Sequence, residues 1–249
     1  MAFSEITRNV QTIRQRIVHA ARRVGRDPAR VRIVAATKFV EVERIEQALE
    51  AGITICGENR LQEALAKMAS IGRQCTWHFI GRLQRRKLRA MIGRFSLIHS
   101  VETVDQAAAL DRWAQEAGHA QPILLEVNLG GEPSKGGFSP EALKAAISPL
   151  DQLEHVQIQG LMTVPPWLAD PEHVRPYFRQ LRELAEQIAA QRLVRIRMDE
   201  LSMGMSHDYP IAVEEGATLV RIGTAIFGER PVPTRQVPPE TAQPGEGEG

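Results

Sequence analysis

Lysine is rare in this chain. Lys38, Lys67, Lys87, Lys135 and Lys144 are the five lysines among 31 basic residues, and arginine supplies the rest. Cysteine is rarer. Cys56 and Cys75 show no metal-binding spacing, and free thiols suit a reducing, cytoplasmic setting. No apolar run is long enough to cross a bilayer. The opening stretch MAFSEITRNVQTIRQRI is mixed and periodic, unlike a secretory leader, and Glu5 with no Ser-rich segment after it argues against a transit peptide. The net charge of +1 gives no global pull toward nucleic acid or an anionic membrane. The dinucleotide fingerprint G-x-G-x-x-G does not occur.

What is present is an alternation. Phe3, Ile6, Val10, Ile13, Ile17, Ala20 and Val24 recur in steps of three and four and predict an amphipathic first helix. After GRDP, eight strand-like runs follow, each separated from the next by one helical pattern. They are VRIVAAT, ITIC, TWHFI, SLIHSV, PILLEVNL, VQIQGLMT, DELSM and TLVRIG. The helices between them include QRRKLRAMIG, SPEALKAAI with Ser139 as N-cap and Pro140 at the first position, and PEHVRPYFRQLRELAEQIAAQ. Such alternation predicts a parallel α/β fold, and eight units in about 200 residues is the arithmetic of a (β/α)8 TIM barrel. A doubly wound open sheet is the rival. The expected domain spans residues 1–230, and residues 231–249, rich in Pro, Gly and Glu, read as a disordered tail.

In a barrel of this kind the site lies at the C-terminal ends of the strands. That places Lys38 after strand 1, Asn59 of GEN after strand 2, His78 on strand 3 and Asn128 on strand 5. Met162 and Thr163 end strand 6, SMGMS (Ser202 to Ser206) follows strand 7, and RIGT (Arg221 to Thr224) ends strand 8. The loops after strands 7 and 8 often hold a phosphate. Gly223 lets backbone approach an anion, Thr224 adds a hydroxyl, and Ser206 precedes the helix HDYPIAVEEG, whose N-terminus favours negative charge. Ser206 as a plain N-cap and Gly223 as a plain turn are the simpler alternatives. Position alone leaves two readings for Lys38: an amine that condenses with a phosphorylated aldehyde or ketone, or a rim lysine that snorkels to water.

The motifs ATKFV, GENRLQEALAK, WHFIGRLQRRK, HSVET, VNLGGEPSKGGF, GLMTVPP and LSMGMSHDYPIAVEEGATLVRIGTAIFGER occur in this order over nearly all of residues 3–230. In this the chain resembles the pyridoxal phosphate (PLP) homeostasis proteins. The resemblance implies a single barrel with an extra N-terminal helix, like the N-terminal domain of alanine racemase, the fold-type III PLP architecture. It also implies that PLP is the cofactor, held on Lys38 as an aldimine. Arg221 matches the arginine facing the pyridine nitrogen. Gly223, Thr224 and Ser206 match the phosphate cup, with Ser202 beside them, and Asn59 matches a residue next to the cofactor. The implied role is intracellular PLP homeostasis and delivery to apo PLP-dependent enzymes by a monomer with no committed reaction and no catalytic residue. Arginine keeps its proton, which leaves the ring a poorer electron sink, and no second β-rich domain with a catalytic tyrosine is expected. A weak racemase- or decarboxylase-like PLP enzyme is the alternative, and a Schiff-base aldolase acting without PLP is a third.

This sequence departs from the family pattern at three places. Val40 stands where many members have a second lysine, Arg86 where some have asparagine, and Cys56 where an aromatic residue is common. The basic run Arg82 to Arg94 reads as a solvated helix face, with Gln84 and Lys87 close to the cofactor mouth. His78 reads as a structural histidine, Glu58 as a helix-start carboxylate, and Lys135 and Gly137 as part of a loop that could cover the site.

Overall fold

The computed structural model describes residues 4–132 and 135–229. Phe3, the 133–134 step of the glycine-rich loop and the tail from residue 230 onward lie outside the described residues. The chain begins with helix α1 (Glu5–Arg23), capped by the Ser4 hydroxyl, which accepts from the Thr7 N–H. Its stripe of Ile6, Val10, Ile13, Ile17 and Ala20 is buried, as the periodicity predicts, while Val24 is exposed past the helix end.

Eight strands follow: β1 (Arg32–Ala36), β2 (Ile55–Glu58), β3 (Thr76–Phe79), β4 (Leu97–Val101), β5 (Gln121–Glu126), β6 (Val156–Met162), β7 (Ile196–Ser202) and β8 (Leu219–Ile222). Each pairs in parallel with the next, and β8 returns to β1, so the sheet is a closed barrel. This is the (β/α)8 TIM barrel expected from the alternation; the open doubly wound sheet is excluded. The connecting helices are α2 (Val42–Glu50), α3 (Leu61–Ile71), α4 (Val104–Glu116), α5 (Pro140–Leu150), α6 (Arg175–Ala189), α7 (Tyr209–Glu214) and, after β8, α8 (Thr224–Phe227). Ser139 caps α5 by accepting from Ala142 N, with Pro140 at its first position.

One crossover differs from expectation. The run QRRKLRAMIG is not an α-helix; Arg85–Met91 forms a 3-10 helix between β3 and β4. Its two buried residues, Leu88 and Met91, are three apart, so a three-residue turn aims both at the core.

The two faces of the sheet have separate cores. The larger packs the outward strand residues against the helices. The smaller fills the barrel with Val34, Ile55, Leu97, Leu124, Met162 and Leu219. Side chains alternate along a strand, so two residues on from each filler the chain again points inward. There the filling turns polar: Arg221 lies two beyond Leu219, His99 two beyond Leu97 and Glu126 two beyond Leu124. An apolar plug therefore forms the floor, and polar groups gather above it toward the C-terminal ends of the strands.

Candidate functional site

The seven residues singled out in the sequence come from one arc of the barrel. Ser202 ends β7, Ser206 lies in the loop after it, Arg221 is in β8, Gly223 and Thr224 open the passage into α8, Lys38 follows β1, and Asn59 follows β2. These four strands are consecutive around the closed sheet. Val34 lies opposite Arg221 and Ala35 opposite Ile222, which brings the end of β1 alongside the loop that leaves β8. Ala36 on the other side faces Gly57 of β2.

Arg221 is 5% exposed, and its guanidinium is held from beneath. Nη1 donates to the carbonyl and hydroxyl oxygens of Ser202 at 2.8 and 2.6 Å, and Nη2 donates to the Thr163 carbonyl at 2.9 Å. All three acceptors are neutral, so these contacts fix the group without cancelling its charge. Burial pushes its pKa down to about 10, with Glu126 and Asp208 opposing the shift, and it remains a cation at neutral pH.

Behind Ser202 runs a chain of buried groups that the sequence reading did not assemble. The Ser202 hydroxyl lies 2.8 Å from His99 Nδ1, and His99 Nε2 lies 3.0 Å from His78 Nδ1. One arrangement of the protons satisfies every group in this chain. Arg221 donates to Ser202 Oγ, and in the tautomer that accepts at Nδ1, His99 takes the serine proton's hydrogen bond. His99 then carries its proton on Nε2 and donates to His78. Both rings are neutral: burial and then the Arg32 charge hold the His78 pKa down to about 3, and burial and then His78 hold His99 well below the usual range. The sequence signal was the histidine inside LIHSV, His99, on a strand buried along its whole length. Polar groups in such a place need partners. The structural reading of His78 agrees with this geometry.

The phosphate-type loops do meet, though differently from the expected arrangement. Ser206 does not cap α7, which begins at Tyr209 with no side-chain cap. Its hydroxyl oxygen instead accepts from Gly223 N at 3.3 Å and Ala225 N at 3.1 Å, where α8 begins. Asp208 closes the intervening turn by accepting from Met205 N at 2.6 Å. Ser206, Gly223, Thr224 and Ala225 thus gather a hydroxyl and backbone N–H groups at one spot. Ser202 is not among them, because its hydroxyl is engaged by His99 and Arg221.

Lys38 sits in a turn past the end of β1. Val40 N donates to Thr37 O at 3.0 Å, and between them Phe39 adopts φ 58°, a left-handed backbone that a bulky residue reaches only at a cost. Beneath this turn lies a buried charge cluster. Lys67 of α3 uses its three donors on Thr37 O at 2.6 Å, Glu58 Oε1 at 2.8 Å and Glu63 Oε1 at 2.7 Å. Thr37 Oγ1 donates to Glu58 Oε1 at 2.6 Å, and Phe39 N donates to Glu63 Oε1 at 2.5 Å. Glu58 is therefore more than the helix-start carboxylate expected from sequence. Burial raises its pKa despite Lys67 and Thr37, and its Oε2 is buried without a hydrogen-bond partner among the described residues. For Glu63 burial acts upward, but hydrogen bonds from Lys67 and Phe39 N outweigh it and leave the pKa low. Glu63 and Lys67 lie one helical turn apart within a motif already conspicuous in the sequence, which is the signal that could have found them.

Asn59 Oδ1 is also buried and has no hydrogen-bond partner among the described residues. The residue lines a cleft with Arg82, Gln84 and Lys87, so the 3-10 helix does border this rim. Lys135 pairs with Glu132 at 2.6 Å and donates to Pro165 O at 3.1 Å. Among the described residues no cluster of three or more potential metal ligands occurs, and no helix is long and apolar enough to cross a membrane.

Comparison with known proteins agrees with this architecture. Residues 4–231 match the family described as alanine racemase, N-terminal domain. The pyridoxal phosphate homeostasis protein of Aquifex aeolicus is 45% identical over 217 residues, 87% of this chain and 94% of the relative. PipY of Synechococcus elongatus, solved with PLP bound, superposes with a TM-score of 0.76 at 39% identity, covering 87% of this chain and all of that one. The alanine racemase of Clostridium difficile shares the fold alone, at 13% identity and a TM-score of 0.66 over 88% of this chain and 57% of its own. On these matches and this barrel, the chain belongs to the pyridoxal phosphate homeostasis protein family.

Proposed function

We propose that this protein binds PLP at the C-terminal mouth of the barrel, holds it covalently but reversibly on Lys38, and serves as a carrier in PLP homeostasis, not as an enzyme with a committed reaction. The residues present fit that group. The Ser206 and Thr224 hydroxyls, with the Gly223 and Ala225 N–H groups that here rest on Ser206 Oγ, gather the donors that would hold a phosphate. Asn59 Oδ1 is an orphaned acceptor at the same mouth. PLP supplies, when bound, an aldehyde that condenses with a primary amine.

Lys38, in the turn that follows β1 beside β8, is the amine we assign to this arc. Arg221 holds a positive charge for the ring nitrogen and keeps its proton, since even after burial its pKa is about 10. Ser202, His99 and His78 hold the Arg221 guanidinium in place and stay neutral themselves, so we assign Ser202 to Arg221 and not to the phosphate cup. The observation that carries the non-enzymatic reading is Arg221 resting on neutral oxygens only. A carboxylate at the ring nitrogen could share a proton with it and draw electrons from the substrate carbon; a guanidinium does not give its proton up. Passing PLP to apo-enzymes and working in the cytoplasm as a monomer belong to the same reading.

The test is borohydride reduction of the PLP-loaded protein followed by peptide mass mapping, with α-proton exchange of amino acids in deuterated water as the second arm. The pyridoxyl group is expected on Lys38, with exchange no faster than free PLP gives. Labelling mainly at Lys135 or Lys144 sinks the site. Saturable exchange abolished by Lys38→Ala replaces the carrier with a weak racemase- or decarboxylase-like enzyme.

A further inference from the structure

We propose that Glu63 and Lys67 are positioning residues for Lys38: they hold the turn at residues 37–40, with Phe39 in its left-handed conformation, so that the Lys38 amine is delivered to the mouth ready to react. The inference rests on the proposed role of Lys38 and deepens it.

The turn is gripped on both sides of Lys38. On one side Thr37 is fixed three ways: its N–H donates to Gly57 O at 2.9 Å, its hydroxyl donates to Glu58 Oε1, and its carbonyl accepts from Lys67 Nζ and Val40 N. On the other side Phe39 N donates to Glu63 Oε1, and the Arg60 guanidinium lies 4.7 Å over the Phe39 ring. That ring is 46% exposed, so apolar burial does little to hold φ at 58°. The hydrogen bond from Phe39 N to a carboxylate is what sets this backbone against its intrinsic preference. Glu63 can serve only while its oxygen stays aimed at the turn, and Lys67 aims it. Lys67 also neutralises Glu58, which would otherwise be a bare buried carboxylate directly beneath the turn.

Reaction of Lys38 joins its neutral Nζ to an aldehyde carbon. The carbonyl oxygen leaves as water with both amine protons, so no oxidant or reductant takes part. Attack requires the amine at contact distance along a defined direction, and a turn that relaxes at Phe39 swings the Lys38 Cα.

The experiment compares full-length wild type, Glu63→Ala and Glu63→Gln. PLP is added, aliquots are reduced with borohydride over time, and pyridoxyl-Lys38 is counted by mass. Pyridoxine 5′-phosphate, which has no aldehyde, reports non-covalent affinity, and thermal unfolding reports stability. Glu63→Ala is expected to slow labelling of Lys38 roughly tenfold or more, the worth of one hydrogen bond to a charged acceptor. Its affinity for pyridoxine 5′-phosphate should stay within about threefold of wild type. Glu63→Gln keeps an acceptor for Phe39 N and should label at close to the wild-type rate, a rescue that a purely structural role of the charge would not give. Labelling of Glu63→Ala at the wild-type rate overturns the inference. So does a loss of labelling, affinity and stability in proportion, equal in Ala and Gln variants. If wild type itself takes no label on Lys38, the proposed function fails and this inference falls with it; if wild type labels and Glu63→Ala matches it, only this inference fails.

Discussion

Removing Lys67 gives the strongest energetic test of the buried cluster. In Lys67→Met the methionine fills much of the lysine's volume, but the Glu58 carboxylate, whose side chain is fully buried, loses the Lys67 cation, and Thr37 O loses a donor. Breaking a buried pair by deleting one partner costs about 3–5 kcal/mol. That is a large share of the roughly 5–15 kcal/mol that holds a domain folded. For a chain of this size it corresponds to a fall in Tm of roughly 10 °C. The loss depends on pH in a definite direction. Burial already raises the Glu58 pKa against the pull of Lys67, and without Lys67 it rises further. With its folded pKa above the unfolded value, the folded state binds the extra proton. Stability then falls as pH rises from the unfolded value toward the folded one, by up to about 1.4 kcal/mol per unit. Urea unfolding at pH 5 and pH 8 reads this directly, and the deficit of Lys67→Met should be larger at pH 8. Adding Glu58→Gln should recover more than half of the loss at pH 8. An unchanged midpoint, or a deficit equal at both pH values and untouched by Glu58→Gln, refutes the electrostatic account.

Three further outcomes are expected. The His78–His99 pair should make wild type acid-sensitive: both rings stay neutral in the fold while the unfolded chain protonates near pH 6.5, so stability is lost as pH falls from there toward about 3. The slope is roughly 1.4 kcal/mol per pH unit for each histidine, and His99→Leu should flatten it in acid-titrated unfolding. Pyridoxal should bind roughly a hundredfold or more weakly than PLP, as two charge-assisted hydrogen bonds are forfeited, and Ser206→Ala should narrow that gap in a fluorescence titration; equal affinities would show the cup to be misassigned. Gly81→Ala should destabilise by about 1–3 kcal/mol in chemical denaturation, because its Cβ would lie 2.2 Å from the Asn59 carbonyl oxygen and must push the β2 rim aside.

Much of the barrel was legible because parallel strands buried on both faces and helices buried on one leave different periodicities, as in PILLEVNL against the stripe of α1. The rule that such barrels work at their C-terminal mouth then gathered Lys38, Asn59, Ser206, Arg221, Gly223 and Thr224 before any coordinate. What stayed hidden is what depends on which oxygen meets which nitrogen. Ser202 and Ser206 look alike in SMGMS, four residues apart, yet one is committed to Arg221 and the other to the start of α8. Glu58 reads as an ordinary helix-start acid until Lys67 is seen to reach it, and the QRRKLRAM stretch reads as an α-helix until Leu88 and Met91 show a three-residue repeat.

The position of α1 bears on how this chain must be made. The helix precedes all eight strands, yet it packs on α2, α7 and α8, and Asn9 donates to Ile226 O near the far end of the described chain. The last strand likewise seals the barrel by pairing with the first. A nascent chain therefore carries an oily helix and an unpaired β1 edge until β8 is made, with no local partner able to cover both. Nascent chains halted before β8 should consequently be the form of this protein that chaperones and proteases meet, whereas the arrival of β8 changes a chain with two open edges into one with none.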